Sequence, residues 1–142
     1  MLFMLMRVFN DYKSLPEETK GCALAIGNFD SVHKGHQEVL KRGKLIAERM
    51  NAPFAVMIFE PHPRSFFHPD EPSFRLASLR AKLRHLDLLG VDFLFVVHFN
   101  HEFAQKTPEE FIRDVLVKEL NVRHVIAGYN FRFGKNRAGN NS

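Results

Sequence analysis

Cys22-Ala23-Leu24-Ala25-Ile26-Gly27-Asn28-Phe29-Asp30-Ser31-Val32-His33-Lys34-Gly35-His36 is the stretch on which the reading of this chain turns. Its first part, Cys22 to Phe29, is a short apolar run rich enough in aliphatics for a buried strand. From Gly35 to Met50 the period changes, and Val39, Leu40, Ile46, Ala47 and Met50 fall on one side of a helix. A polar loop therefore joins a buried strand to the start of a helix. Gly35 lets a ligand approach the backbone closely. The free N–H groups and positive dipole end of the helix favour an anion at that point.

The pattern repeats along the chain. Asn51-Ala52-Pro53 breaks the helix, and Phe54 to Phe59 reads as a second buried strand. A loop with Pro61, Pro63, Pro69 and Pro72 follows. Leu76, Leu79, Leu83, Leu86 and Leu89 then recur at helical spacing, with Gly90 where a helix C-terminal glycine belongs. Phe93 to Val97 is a third strand. Thr107-Pro108-Glu109-Glu110 is a helix start, with an N-cap, a proline and acids in order. Phe111, Ile112, Val115, Leu116 and Leu120 form that helix's apolar face, and Val122 to Ala127 is a fourth strand. Alternating strands and helices predict one α/β domain, an open parallel Rossmann-like sheet with helices on both faces. Ligands bind such sheets beyond the carboxyl ends of the strands. The polar segments after strands, at 28–36, 60–67, 99–103 and 128–139, are the places for function.

Composition narrows the class. The 142 residues are 45% hydrophobic and 25% charged, the make-up of a globular chain with one core. A single cysteine, Cys22, excludes an intramolecular disulfide and any zinc site of several cysteines. The apolar opening from Met1 to Met6 is too short for a membrane span and has no basic region before it. The expectation is a soluble, cytoplasmic protein. Twenty Lys and Arg against 16 Asp and Glu favour anionic partners. No long basic stripe suits a nucleic-acid duplex, so the partner expected is a small phosphate-bearing ligand, with neither nucleic acid nor membrane.

His33 and His36 lie three apart across Gly35, where both can face one ligand with Lys34 beside them. That suits phosphoryl or nucleotidyl transfer, which positioning and charge stabilisation can catalyse without a covalent nucleophile. Two surface histidines in a turn are the plainer reading of a bare pair. A zinc site lacks nearby cysteines and an obvious third ligand, so no resident metal site is assigned. The loop has neither a Walker-type lysine pattern nor a three-glycine dinucleotide fingerprint.

The segment resembles the His-x-Gly-His signature of the nucleotidyltransferase superfamily. The longer string from Gly27 to Gln37 is similar to the form found in bacterial FAD synthetases, the adenylyltransferase half of bifunctional riboflavin kinase/FMN adenylyltransferases. Two further blocks match: Phe59-Glu60-Pro61-His62-Pro63 after the second strand, and Gly128-Tyr129-Asn130-Phe131-Arg132-Phe133-Gly134-Lys135-Asn136-Arg137-Ala138-Gly139 after the fourth. The resemblance implies FMN adenylyltransferase activity, in which FMN and ATP with Mg²⁺ give FAD and pyrophosphate. It implies that His33 and His36 act on the ATP phosphates, in a site formed with Gly27, Asn28, Phe29, Asp30 and Gly35. Asn28 serves equally as a turn-forming asparagine, and Asp30 as a helix cap. Pro61, His62 and Pro63 fall on the flavin side of the cleft, together with Asn130, Phe131, Arg132 and Arg137. Core packing is the commoner fate of Phe59, Phe66 and Phe67. For Arg132, Lys135 and Arg137 a solvated basic tail and a phosphate contact weigh about evenly by charge alone, and Gly134 and Gly139 favour the contact.

Three departures accompany the match. Ser31 stands where the family has glycine, and Asn130 and Asn140 stand where it commonly has acids. The family also continues into further α/β structure and a riboflavin kinase module, whereas this sequence stops at Ser142. The expectation is a partial adenylyltransferase domain without the kinase module, its turnover impaired. The alternatives are a non-catalytic flavin- or nucleotide-binding fragment and a nucleotidyltransferase with another phosphorylated acceptor.

Overall fold

Apolar side chains on successive residues of three strands point to opposite faces of one sheet, and this divides the core into two halves. The computed structural model describes residues 5–27, 29, 34–60, 76–127, 132–133 and 139–140. In chain order these form β1 (Arg7–Phe9), β2 (Ala23–Ile26), α1 (Lys34–Met50), β3 (Phe54–Glu60), α2 (Leu76–Leu88), β4 (Phe93–His98), α3 (His101–Ala104), α4 (Pro108–Phe111), β5 (His124–Ala127), β6 (Arg132–Phe133) and β7 (Gly139–Asn140). The main sheet has the order β1-β4-β3-β2-β5, and all four of its pairings are parallel. From β2 the chain steps outward through β3 to β4. It then returns to the opposite side of β2 to lay down β5, so the winding reverses at β2.

Ala23, Ala25, Phe54, Val56, Ile58 and Leu94 face one layer, where they are buried with Leu40 and Ala47 of α1 and Leu86 of α2. The alternate residues Leu24, Ile26, Ala55, Met57, Phe93, Phe95 and Val97 face the other. That second layer is closed by Phe103 of α3, Phe111 of α4 and the residues that follow them. The helices therefore cover both faces, as the strand–helix alternation predicts. Within the first layer, α1 reaches β3 through Gly43, where an added Cβ would lie 2.7 Å from Cε1 of Phe54.

Local signals fix the ends of several elements. Gly90 follows α2 with φ +88°, the left-handed conformation expected of a glycine there. Thr107 and Glu110 form a complete capping box: the Glu110 N–H donates to Thr107 Oγ1 at 3.1 Å, and the Thr107 N–H donates to Glu110 Oε1 at 2.8 Å. The backbone N–H of Thr107, and then its hydroxyl, hold the Glu110 carboxyl below its usual range.

The structure differs from the sequence reading in four places. β1 was not expected, since three residues with mostly exposed side chains carry little pattern. The segment from Phe99 to Phe103 is no polar loop: it leads into α3, and both phenylalanines are buried. Ile112 is 52% exposed and leaves the apolar face assigned to it. The cause is a π-helical turn over Ile112–Val117, in which Lys118 donates to the Arg113 carbonyl and Leu120 to that of Val115. More residues per turn shift Ile112 outward while Phe111, Val115, Leu116 and Leu120 remain inside. Finally, the glycine-punctuated tail contains an antiparallel pair, β6 with β7, in which Arg132 lies opposite Asn140.

Two measurements test this packing. Gly43→Ala gains about 1 kcal/mol of helix propensity but must displace the Phe54 ring, and overpacking costs about 1–3 kcal/mol. The expected result is a lower urea midpoint for the variant, with an unchanged slope. Cys22 is fully buried, and burial pushes its thiol up to about 12. Because the thiolate is the reactive form, a disulfide reagent at pH 8 should leave the native protein unmodified and titrate one thiol per chain in denaturant.

Candidate active site

The carboxyl edge of the sheet is stepped. β2 and β5 end level with one another, Ile26 opposite Ala127, and Ile26 also lies opposite Met57 of β3. β3 and β4 run on together to Glu60 and His98, after which the Phe99 N–H donates to the Glu60 carbonyl at 3.0 Å. β3 therefore runs on past the level at which β2 and β5 end. This step lies where the winding reverses, the position at which open α/β sheets bind ligands.

At the end of β2, Gly27 is buried and donates its N–H to the Met57 carbonyl at 3.2 Å. The next described residue is Phe29, with φ +48° and only 7% exposure. Its side chain belongs to the core layer beneath α1, so the ring is not a surface available to ATP. α1 begins at Lys34, placing the backbone of Gly35 and His36 in its first turn. No acidic residue lies in that turn, so no first-turn carboxylate offsets the positive end of a long helix dipole. At α4, by contrast, Glu109 and Glu110 occupy the first turn and a capping box satisfies the donors.

Of the other residues expected at the site, Arg132 lies in β6. Asn28, Asp30, His33, Pro61, His62, Pro63, Asn130, Phe131 and Arg137 lie outside the described residues, as do Phe66 and Phe67. The fold nonetheless orders their segments. The three sequence blocks follow β2, β3 and β5, which are adjacent in the sheet as β3-β2-β5. Phe59, at the end of β3, is buried and packs against Phe99 and Phe103 with ring centroids 6.0 and 5.7 Å apart, so its core role is established. Among the described residues no cluster of three His, Cys, Asp or Glu could hold a metal ion.

Sequence reasoning missed a cleft on the same edge. It is a polar cleft of about 170 Å³ between the chain after β1 and the chain after β4, lined by Tyr12, Lys13, His98 and Lys106 among others. Burial, and then Asp11, Glu102, Glu119 and Asp114 nearby, raise the Tyr12 phenol above its usual range. Its cations have local partners: Lys106 lies 3.8 Å from Asp114, and Lys13 sits over the Tyr12 ring. The signal that would have located the cleft is β1, which the sequence pattern does not disclose.

Among the described residues no helix is long and apolar enough to cross a membrane. Comparison with known proteins agrees with the geometry. A solved structure from Streptococcus pneumoniae, described as a macrolide-efflux protein, superposes with a TM-score of 0.68 at 26% identity, over 93% of this chain and 44% of that one. The bifunctional riboflavin kinase/FMN adenylyltransferase of Escherichia coli K12 is 43% identical over 135 residues, 95% of this chain and 42% of its own length. That of Bacillus subtilis 168 is 38% identical over 131 residues, 92% of this chain and 41% of its own. The chain thus spans about two fifths of the length of these relatives. The profile of the FAD synthetase family matches residues 15–142, and the chain belongs to that family.

Proposed function

We propose that this chain transfers AMP from ATP to FMN, giving FAD and pyrophosphate. One observation carries the reading. Three segments far apart in sequence, each matching the family's pattern, follow three neighbouring strands at the edge where the sheet reverses its winding. Composition supplies a basic chain suited to anionic substrates.

In this reaction a phosphate oxygen of FMN attacks the α-phosphorus of ATP. The bond from that phosphorus to the bridging oxygen breaks, and pyrophosphate leaves with the electron pair. The protein's part is to hold the two phosphates in line and to stabilise negative charge as it moves onto the leaving group. His33 and His36 take that second task as N–H donors, aided by the N-terminal amides of α1. Gly27, Asn28, Asp30 and Gly35 shape the phosphate loop. Pro61, His62 and Pro63 border the flavin, with Asn130, Phe131, Arg132 and Arg137 contributing from the segment after β5. Mg²⁺, when bound, would neutralise charge on the pyrophosphate, with phosphate oxygens and water as its natural ligands. These substrates suit an enzyme of the cytoplasm.

The histidine pair gives the decisive test. His33→Ala and His36→Ala should each lower kcat for FAD formation by about a hundredfold, the scale of a lost transition-state donor. FMN affinity should stay within about twofold, since the lost interaction belongs to the transition state. Equal losses of FMN affinity and turnover would remove these side chains from the ATP phosphates. Acceptor choice is checked separately by calorimetric titration with FMN and nicotinamide mononucleotide. FMN should bind more tightly, and the opposite order would assign the chain to a different acceptor.

A further inference from the structure

Gly27 and Phe29 stand one residue apart at the carboxyl end of β2, and the structure ties each to the other. Phe29 holds φ +48°, a region that a bulky side chain enters only against a steric cost. Its ring is nevertheless 7% exposed, in the same buried cluster as Ala25, Leu40, Phe54 and Val56. Leu40 lies one helical turn beyond His36. The ring thus lies in the buried layer that β2 and the early part of α1 share. It also fills the space beside Gly27: a Cβ there would lie 3.0 Å from both Cε2 and Cζ of the Phe29 ring. No positive φ is recorded at Gly27, so left-handed backbone is not the reason for glycine at this position.

We propose that Phe29 is a positioning residue for the phosphate loop, and that Gly27 is glycine to make room for its ring rather than for a ligand. Burial of the ring holds the backbone of residue 29 in its left-handed turn. That turn sets where the chain leaves β2 and how α1's first turn is presented to ATP. The proposal rests on the nucleotidyl-transfer reading for its kinetic effect, but its binding and packing consequences do not need FMN as acceptor.

The test is a double-mutant cycle in the full chain with Gly27→Ala, Phe29→Leu and the pair together. Each variant is followed by steady-state FAD formation, calorimetric ATP binding and thermal melting. Gly27→Ala, which makes the ring give by a few tenths of an ångström, should lower kcat by roughly thirtyfold, below the hundredfold of a full ångström, and weaken ATP binding, with the KM for FMN within about twofold. Phe29→Leu alone should keep the fold and show the same split with a loss of about tenfold. In the double variant the smaller side chain frees the space, and turnover and melting temperature should both recover above those of Gly27→Ala. A double variant no better than Gly27→Ala would show that glycine serves the ligand and would overturn the proposal. So would a Phe29→Leu variant with wild-type turnover and ATP affinity, even where Gly27→Ala fails to fold. If the wild-type chain makes no FAD, the functional reading falls, while the order of ATP affinities across the cycle still decides the role of Phe29.

Discussion

Ala23–Ile26 pairs with β3 along one edge and with β5 along the other, and each of its side chains is buried. A strand enclosed on all sides has to be short and apolar, with small residues where a helix crosses it. Ala23 and Ala25 face α1, while Leu24 and Ile26 fill the opposite layer. Because the winding reverses at this strand, chain laid down on either side of it meets at its carboxyl end. A charge or proline inside β2 would therefore cost more than local stability. It would remove the register that brings Ile26 level with both Met57 and Ala127.

The two layers meet different demands. On the α1 and α2 side, contact is close enough that Gly43 lies directly against the Phe54 ring. On the other side an aromatic cluster fills the space, with Phe59, Phe99, Phe103 and Phe111 meeting mainly edge to face or tilted. Such pairs add about 0.5–1.5 kcal/mol each beyond the area they bury. This cluster backs the carboxyl edge and stiffens the ends of β3 and β4, which run on past the end of β2. The π-helical turn serves the same layer by rotating Val115 and Leu116 inward at the expense of Ile112.

Electrostatics distinguishes the helices that face this edge. α4 is closed by its own capping box and first-turn acids. The first turn of α1 has no acid of its own. With no first-turn carboxylate to oppose one, the longer helix is the better suited of the two to an external anion, and it follows β2, where the winding reverses.

Much of this was legible in the chain itself. Strand–helix alternation, Gly90 after α2, the Thr107 cap and the loop between β2 and α1 all rest on local rules, so residues near in sequence suffice to reveal them. The three blocks that identify the family are likewise contiguous strings. Other features depend on residues that meet only in the folded chain. β1 is too short to announce itself and exists because Arg7–Phe9 finds β4. The exposure of Ile112 follows from a change of helical pitch that no 3.6-residue pattern contains. Phe29 reads as a ligand contact in the linear motif, yet packing places its ring inside, 3.0 Å from where a Cβ on Gly27 would lie. Sequence periodicity thus determined the elements and their class, whereas strand order, register and side-chain volume decided which loops share an edge and which motif residues belong to the core.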